Sequence, residues 1–245
     1  MRSTRSCQAG IKPSTAHIRR KARRVANANT KDISLVYVRG LEREGAKFWL
    51  QRVGWQPSEI AKKIAQDLDP KKTSYVADIG GGHGREALWL AEQGFSSILV
   101  EPNKYSLGFA KKRSKNRGLT VSLVNGALPY LPIRSEIVDV VNFYWTLHQI
   151  PDEYKFRSLI EIHRILKSHG RVYSTSFGDW EGHAMPSSIH PIMKKETFLN
   201  LHLSAGFKPC GKIEKRSDST RSFEKFWYGA FRKEPATLAP QRGHH

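Results

Sequence analysis

Three observations place this chain of 245 residues in the α/β class with a mainly parallel sheet. Short β-branched runs alternate with stretches of helical periodicity, a glycine-rich loop follows the first of those runs, and 39% apolar residues supply a core. In chain order, Phe48, Leu50, Val53, Ile60, Ile64 and Leu68 recur at helical spacing, and Gly54 and Pro57 interrupt them. Two amphipathic helices joined by a turn are expected there. Strands are predicted over Ser74–Ile79, Ser97–Glu101, Thr120–Val124, Val138–Phe143 and Arg171–Phe177, with helices over Arg85–Gln93, Leu107–Asn116 and Tyr154–Leu166 between them. That alternation means βαβ units, because parallel neighbours need a crossover connection. A polar, aromatic loop over Gly178–Pro191 leads to a helix at Lys195–Ala205 and two last strands near Phe207–Glu214 and Phe223–Arg232. The prediction is seven strands, antiparallel at the end, with no internal repeat.

Composition bounds the domain count and the partners. The length suits one large domain with an appendage. No apolar run approaches the roughly 18 residues that cross a bilayer, so a soluble chain with no membrane partner is expected. Cys7 and Cys210 are too few for a disulfide scaffold or a zinc site built from several thiolates. The unusual number is the charge: 41 Lys+Arg against 22 Asp+Glu, a net +19. Residues 1–40 hold ten of the basic residues and a single acid, Asp32, so +9 sits in that leader and +10 in the rest. One dense run in the body is Lys104, Lys111, Lys112, Arg113, Lys115 and Arg117. The leader reads three ways: a disordered basic arm for RNA or ribosomes, a mitochondrial or plastid transit peptide, or a solubilising tail. The domains are then an N-terminal extension (1–40), a catalytic body with its N-terminal helices (41–234) and a flexible tail (235–245). The expected address is cytoplasmic, or organellar if 1–40 is a transit peptide.

The strongest chemical signal is Val76-Ala77-Asp78-Ile79-Gly80-Gly81-Gly82-His83-Gly84, a buried strand ending in an acid and a glycine loop that opens a helix near Arg85. Such a loop lets backbone N–H groups and a helix N-terminus approach a ligand. Twenty-three residues after Asp78, a second strand ends at Glu101, where a carboxylate suits two ribose hydroxyls. Dinucleotide folds want glycines at relative positions 1, 3 and 6, and the third of these falls on Arg85. Gly80, Gly82 and Gly84 instead fit D-x-G-x-G-x-G.

In this respect the chain resembles the class I S-adenosylmethionine-dependent methyltransferases, specifically the type 11 group, over about Lys72 to Ala205. Four further blocks carry the resemblance: Glu101 after the second strand, Gly126–Ile133 (GALPYLPI), Val138–Asp152 (VDVVNFYWTLHQIPD) and Leu166–Gly170 (LKSHG), the last resembling a turn before the fifth strand. The resemblance implies a Rossmann-like, seven-stranded sheet with helices on both faces and S-adenosyl-L-methionine as cofactor. It implies a cofactor site of Asp78, Gly80, Gly82, Gly84, Glu101, Gly126, Ala127 and Asn142. Asp78 would lie near the methionine end, against the alternative of a loop-organising carboxylate. Two positions depart from the family pattern. Ala127 replaces an Asp that holds the adenine amine, and Gln149 replaces the second His of L-H-H, leaving His148.

The acceptor is expected at the carboxyl ends of the first, fourth and fifth strands. Catalytic candidates are His148, as a base or acceptor-orienting group or else a brace for the next helix, and Tyr144, a wall with Trp145. Asn142 and Thr146 share that loop. Trp180, His183 and His190 fall in the long loop after the fifth strand, and with Asp179 and Glu181 their irregular spacing speaks against a metal. Trp49 packs, or closes the other side of the pocket with Trp55. No cysteine stands where a 5-methylcytosine enzyme needs its nucleophile. Asn142-Phe143-Tyr144-Trp145 only partly echoes the N-P-P-Y of amino-methylating enzymes. Three functions remain open: methyl transfer to a small molecule, methyl transfer to RNA or a ribosomal component through the basic arm, and a non-catalytic assembly factor that keeps the fold.

Overall fold

The structure, a computed structural model, describes residue 50 and residues 54–178, 192–218 and 221–234. All of these fall within one compact unit, Gly40–His245. The expected N-terminal extension, most of the first amphipathic helix and the C-terminal tail lie outside the described residues. Helix α1 (Glu59–Asp67) begins where Ser58 Oγ accepts the Ala61 amide at 3.2 Å. Its buried stripe of Ile60 and Ile64 packs on one sheet face, with Val76, Leu90, Val140, Tyr173, Phe226 and Tyr228.

Strand β1 (Val76–Ile79), β2 (Ser97–Val100), β3 (Val121–Val124), β4 (Val138–Phe143) and β5 (Leu166–Phe177) pair in parallel in the order β3-β2-β1-β4-β5. β1 and β2 are buried along their whole lengths, which is why they read as unbroken apolar runs instead of alternating ones. The connections are α2 (Arg85–Glu92), α3 (Lys104–Asn116) and α4 (Asp152–Ile165), and α5 (Lys195–Ser204) follows β5. Phe198 of α5 meets Phe231 on the second sheet face, at 5.8 Å between ring centroids. Strand order reverses between β1 and β4, the topological position at which open α/β sheets bind their ligands.

Two elements differ from expectation. β5 starts at Leu166, inside the block expected to be a turn. Its pairing passes from Val138↔Leu166 to Val140↔Arg171, so Lys167–Gly170 bulge out of a continuing strand, with His169 at φ 62°. The strand expected at Phe207–Glu214 is two, β6 (Phe207–Pro209) and β7 (Glu214–Asp218), separated by a bend at Gly211. Both lie against β8 (Arg221–Lys233), which pairs antiparallel with β5 on its other edge. The sheet therefore has eight strands, not seven.

Candidate functional site

The glycine loop gets its shape from two kinds of constraint. Gly80, Gly82 and Gly84 have φ of 73°, 57° and 82°, in the left-handed region where a side chain is strained. Gly81 has an ordinary φ, yet a Cβ there would meet Asp78 Oδ2 at 2.2 Å. That need is steric and comes from a side chain folded back beneath the loop, so spacing alone did not show it. Gly82 is the opposite case: among the described residues nothing lies within 4 Å of where its Cβ would be. The loop is packed from below and open above Gly82.

Asp78 is 2% exposed. One oxygen accepts from Asn142 Nδ2 at 2.8 Å and the other from the Ala87 amide at 3.2 Å. Burial, helped by the nearby Glu86 charge, pushes its carboxyl well above the usual range. These bonds tie β1 to β4 and to the first turn of α2. Asn142 stands in register with Asp78 on β4, fully buried, with no partner for Oδ1 among the described residues.

Glu101 sits just past β2 and is 5% exposed. Oε2 accepts the Gly82 amide at 3.0 Å and Oε1 the Asn103 amide at 2.9 Å. Burial pushes its pKa up to about 7, although both amide bonds act against the rise. Among the described residues no cation forms an ion pair with it. A carboxylate oxygen accepts more than one bond, so each keeps acceptor capacity beside the open space above Gly82. Such a buried acceptor suits neutral O–H donors, as on a ribose. The Gly126 amide closes on Glu101 O at 3.4 Å, and Asn125 Nδ2, which sequence reading missed, donates to Glu101 O and Pro102 O at 3.0 and 2.8 Å. Ala127 follows, bridged to Tyr130, with a methyl group where the family pattern has an acid.

The loop after β4 supplies the opposite wall. Trp145 has φ 59°, a strained value for a bulky residue. Its amide donates to Thr175 Oγ1 at 2.8 Å and its carbonyl accepts from Gln149 Nε2 at 2.6 Å, so the glutamine that departs from L-H-H holds the strained turn. Thr146 Oγ1 reaches Ile79 O at 3.0 Å, and its side chain fills the space a Gly80 Cβ would need, which locks the two loops together. The Trp145 ring stands edge-on to Phe177 at 5.0 Å and to Phe226 at 6.4 Å. Half-buried Tyr144 lies 5.7 Å from Trp145, and the Arg85 guanidinium lies 5.7 Å from the Tyr144 ring. His148 is 3% exposed, and its ring lies 4.1 Å from that of Phe177 at the end of β5.

On the outer side of the glycine loop, Trp55 stacks under Arg113 at 3.2 Å and meets His83 edge-on at 4.8 Å. Trp49, Asp179, Trp180, Glu181, His183 and His190 lie outside the described residues.

Residues 77–174 match a family model described as a methyltransferase domain. No curated protein matches the chain. Among solved structures, a Burkholderia thailandensis 1,6-didemethyltoxoflavin-N1-methyltransferase, with 1,6-didemethyltoxoflavin and S-adenosylhomocysteine bound, superposes with a TM-score of 0.63 at 16% identity, covering 93% of this chain and 94% of that one. An S-adenosylmethionine-dependent methyltransferase from Methanosarcina mazei gives 0.61 at 17% identity, covering 70% and 97%. The cyclase SpnF gives 0.62 at 18% identity, covering 71% and 80%. At such identities the structural likeness establishes the fold, and the matched segment names the domain. Residues 77–174 thus match a methyltransferase-domain model, and the chain shares the Rossmann-like fold of solved S-adenosylmethionine-dependent methyltransferases.

Proposed function

We propose that this chain binds S-adenosylmethionine between the Gly80–Gly84 loop and Glu101, and transfers the methyl group to a small-molecule acceptor held by the aromatic wall after β4 and β5. The observation that carries the reading is Glu101: a buried carboxylate with no ion-pair partner among the described residues, bonded to the Gly82 amide beside open space. The bound cofactor supplies an activated methyl group on a sulfonium centre. Glu101 holds the ribose hydroxyls, and the backbone at Gly126 and Ala127 edges the adenine. Gly80, Gly82 and Gly84 let the loop backbone close on the ligand, while Asp78 and Asn142 hold that loop in shape from beneath. Tyr144 and Trp145 orient the acceptor and keep water out, which lowers the barrier by alignment. His148 braces Trp145 and Phe177 and takes no proton.

A flat acceptor is supported by the aromatic character of the wall and by the Burkholderia enzyme, whose bound compound is 1,6-didemethyltoxoflavin. The test is label transfer from methyl-tritiated cofactor into fractionated cell extract, with Glu101→Gln as the control. Counts in the small-molecule fraction that vanish in the variant are expected. Counts confined to RNA or protein would overturn the acceptor class, and a calorimetric titration showing no S-adenosylhomocysteine binding would overturn the whole reading.

A further inference from the structure

The acceptor wall and the cofactor loop leave one strongly charged feature unused, the outer face of α3. Its buried side is made of small residues, Ser106, Ala110 and Ser114, and Ala110 joins Leu99 and Ala87 beneath it. The helix thus lies close against the sheet as a rigid element. It is capped by Asn103, whose Oδ1 accepts the Tyr105 and Ser106 amides at 2.8 and 3.2 Å.

The other side is exposed and basic. Lys104, Lys111, Lys112 and Lys115 are all solvent-facing, and α3 contains no acidic residue. At about 100° per residue, Lys104, Lys111 and Lys115 fall within an arc of about 40°, with Lys112 on its flank. The row is about 16 Å long at ~1.5 Å rise per residue. Gly108 lies on the same stripe with nothing among the described residues within 4 Å of its missing Cβ, so a partner's backbone can come close. Elsewhere lysines pair along their own helix, as Lys62 does with Glu59 and Lys63 with Asp67. Among the described residues none of the four α3 lysines has a carboxylate at ion-pair distance. The acid that reaches α3, Glu92, is taken by Arg117. Unpaired like charges held in a row on a rigid element cost energy until an anion arrives, and a row calls for a polyanion.

We propose that this face docks the phosphate backbone of a single-stranded nucleic acid. Tyr105 favours that partner over an anionic membrane: its ring is 40% exposed beside the stripe, with the Lys104 ammonium 5.3 Å from its centroid. That geometry offers a stacking platform for a base next to a phosphate contact. A membrane-lying helix would need a broad apolar face turned outward, whereas the apolar side of α3 is turned into the sheet. This docking is independent of methyl transfer and needs no base-edge readout, so it predicts affinity with little sequence preference.

The experiment uses the full chain and fluorescein-labelled 20-mers of oligo(U) and oligo(dT), followed by anisotropy across a salt series. The variant carries Lys104→Gln, Lys111→Gln, Lys112→Gln and Lys115→Gln, with folding checked by circular dichroism. A second variant with Lys62→Gln, Lys63→Gln, Lys71→Gln and Lys72→Gln removes equal charge elsewhere. Losing four phosphate contacts should flatten the log K against log salt slope by about 3 and weaken binding at least ~10-fold at moderate salt. The second variant should change little, and Tyr105→Ala should weaken binding without altering the slope. Unchanged binding in the α3 variant, an equal loss in both variants, or lysine-dependent binding to phosphatidylserine vesicles but not to either oligonucleotide would overturn the proposal.

Discussion

Glu101→Gln should make stability less dependent on pH around neutrality while disabling ligand capture. Burial raises the Glu101 carboxyl from its ordinary 4.5 to about 7, so between those values the folded chain keeps a proton that the unfolded chain has released. Stability therefore falls as pH rises through that window, and the carboxylate's share of the loss reaches about 3 kcal/mol by pH 8.5. Glutamine keeps the shape and does not titrate, but its NH2 group cannot accept, so one of the Gly82 and Asn103 amide bonds is lost at every pH. That loss is independent of pH, so the stability difference between variant and parent should shift by about 2.5 kcal/mol in the variant's favour between pH 5 and pH 8.5. Urea unfolding of both proteins at the two pH values measures this. Asp78 also has a raised pKa, but it contributes equally to both proteins and cancels in the comparison. In parallel, S-adenosylhomocysteine affinity should fall about a hundredfold or more, because two charge-assisted hydrogen bonds of ~1.5–3 kcal/mol each are weakened. Parallel stability curves for the two proteins, or retained affinity in a folded variant, would refute the reasoning.

Neighbouring glycines should part company. Gly81→Ala forces a Cβ to 2.2 Å from Asp78 Oδ2 and should destabilise by about 3 kcal/mol in thermal unfolding. Gly82→Ala meets no atom and should cost only ~1–2 kcal/mol for its φ of 57°, yet weaken cofactor binding at least tenfold by calorimetry. Thr146→Val removes the bond to Ile79 O, a loss of about 1 kcal/mol. It should raise the KM for cofactor more than it lowers kcat, since the glycine loop loses its tie to the β4 loop. His148→Phe should keep turnover within about threefold with an unchanged pH profile, as expected of a packed ring contributing no proton transfer. A folded variant with a hundredfold loss and a flattened profile would instead make His148 the base.

The parts legible in the sequence are those whose reason is local. The alternate glycines and Glu101 could be read because a left-handed turn and a strand-end carboxylate leave their mark within a few residues. β1, β2 and β4 could be read because burial on both faces makes each a short apolar run, whereas β3 at the sheet edge and the polar β5 showed only in their β-branched residues. What stayed hidden depends on partners far along the chain. Asn142 meets Asp78 across 64 positions, and Thr146 meets Ile79 across 67. Gln149 is a local exception: its partner Trp145 is four positions away, but the left-handed turn it holds has no glycine to announce it. Leu166–Gly170 reads as a turn in isolation, and only pairing with β4 makes it a bulged strand.

β8 has a consequence for the order in which the chain can be completed. β6 and β7 have their strand pairing with β8, and β8 also covers the outer edge of β5. On the ribosome β5 emerges well before Arg221–Lys233, so its edge and both short strands wait on one late segment. An open edge of that kind invites pairing between neighbouring nascent chains. Completion of the sheet thus waits on thirteen residues that must pair with β5 on one edge and with both β6 and β7 on the other.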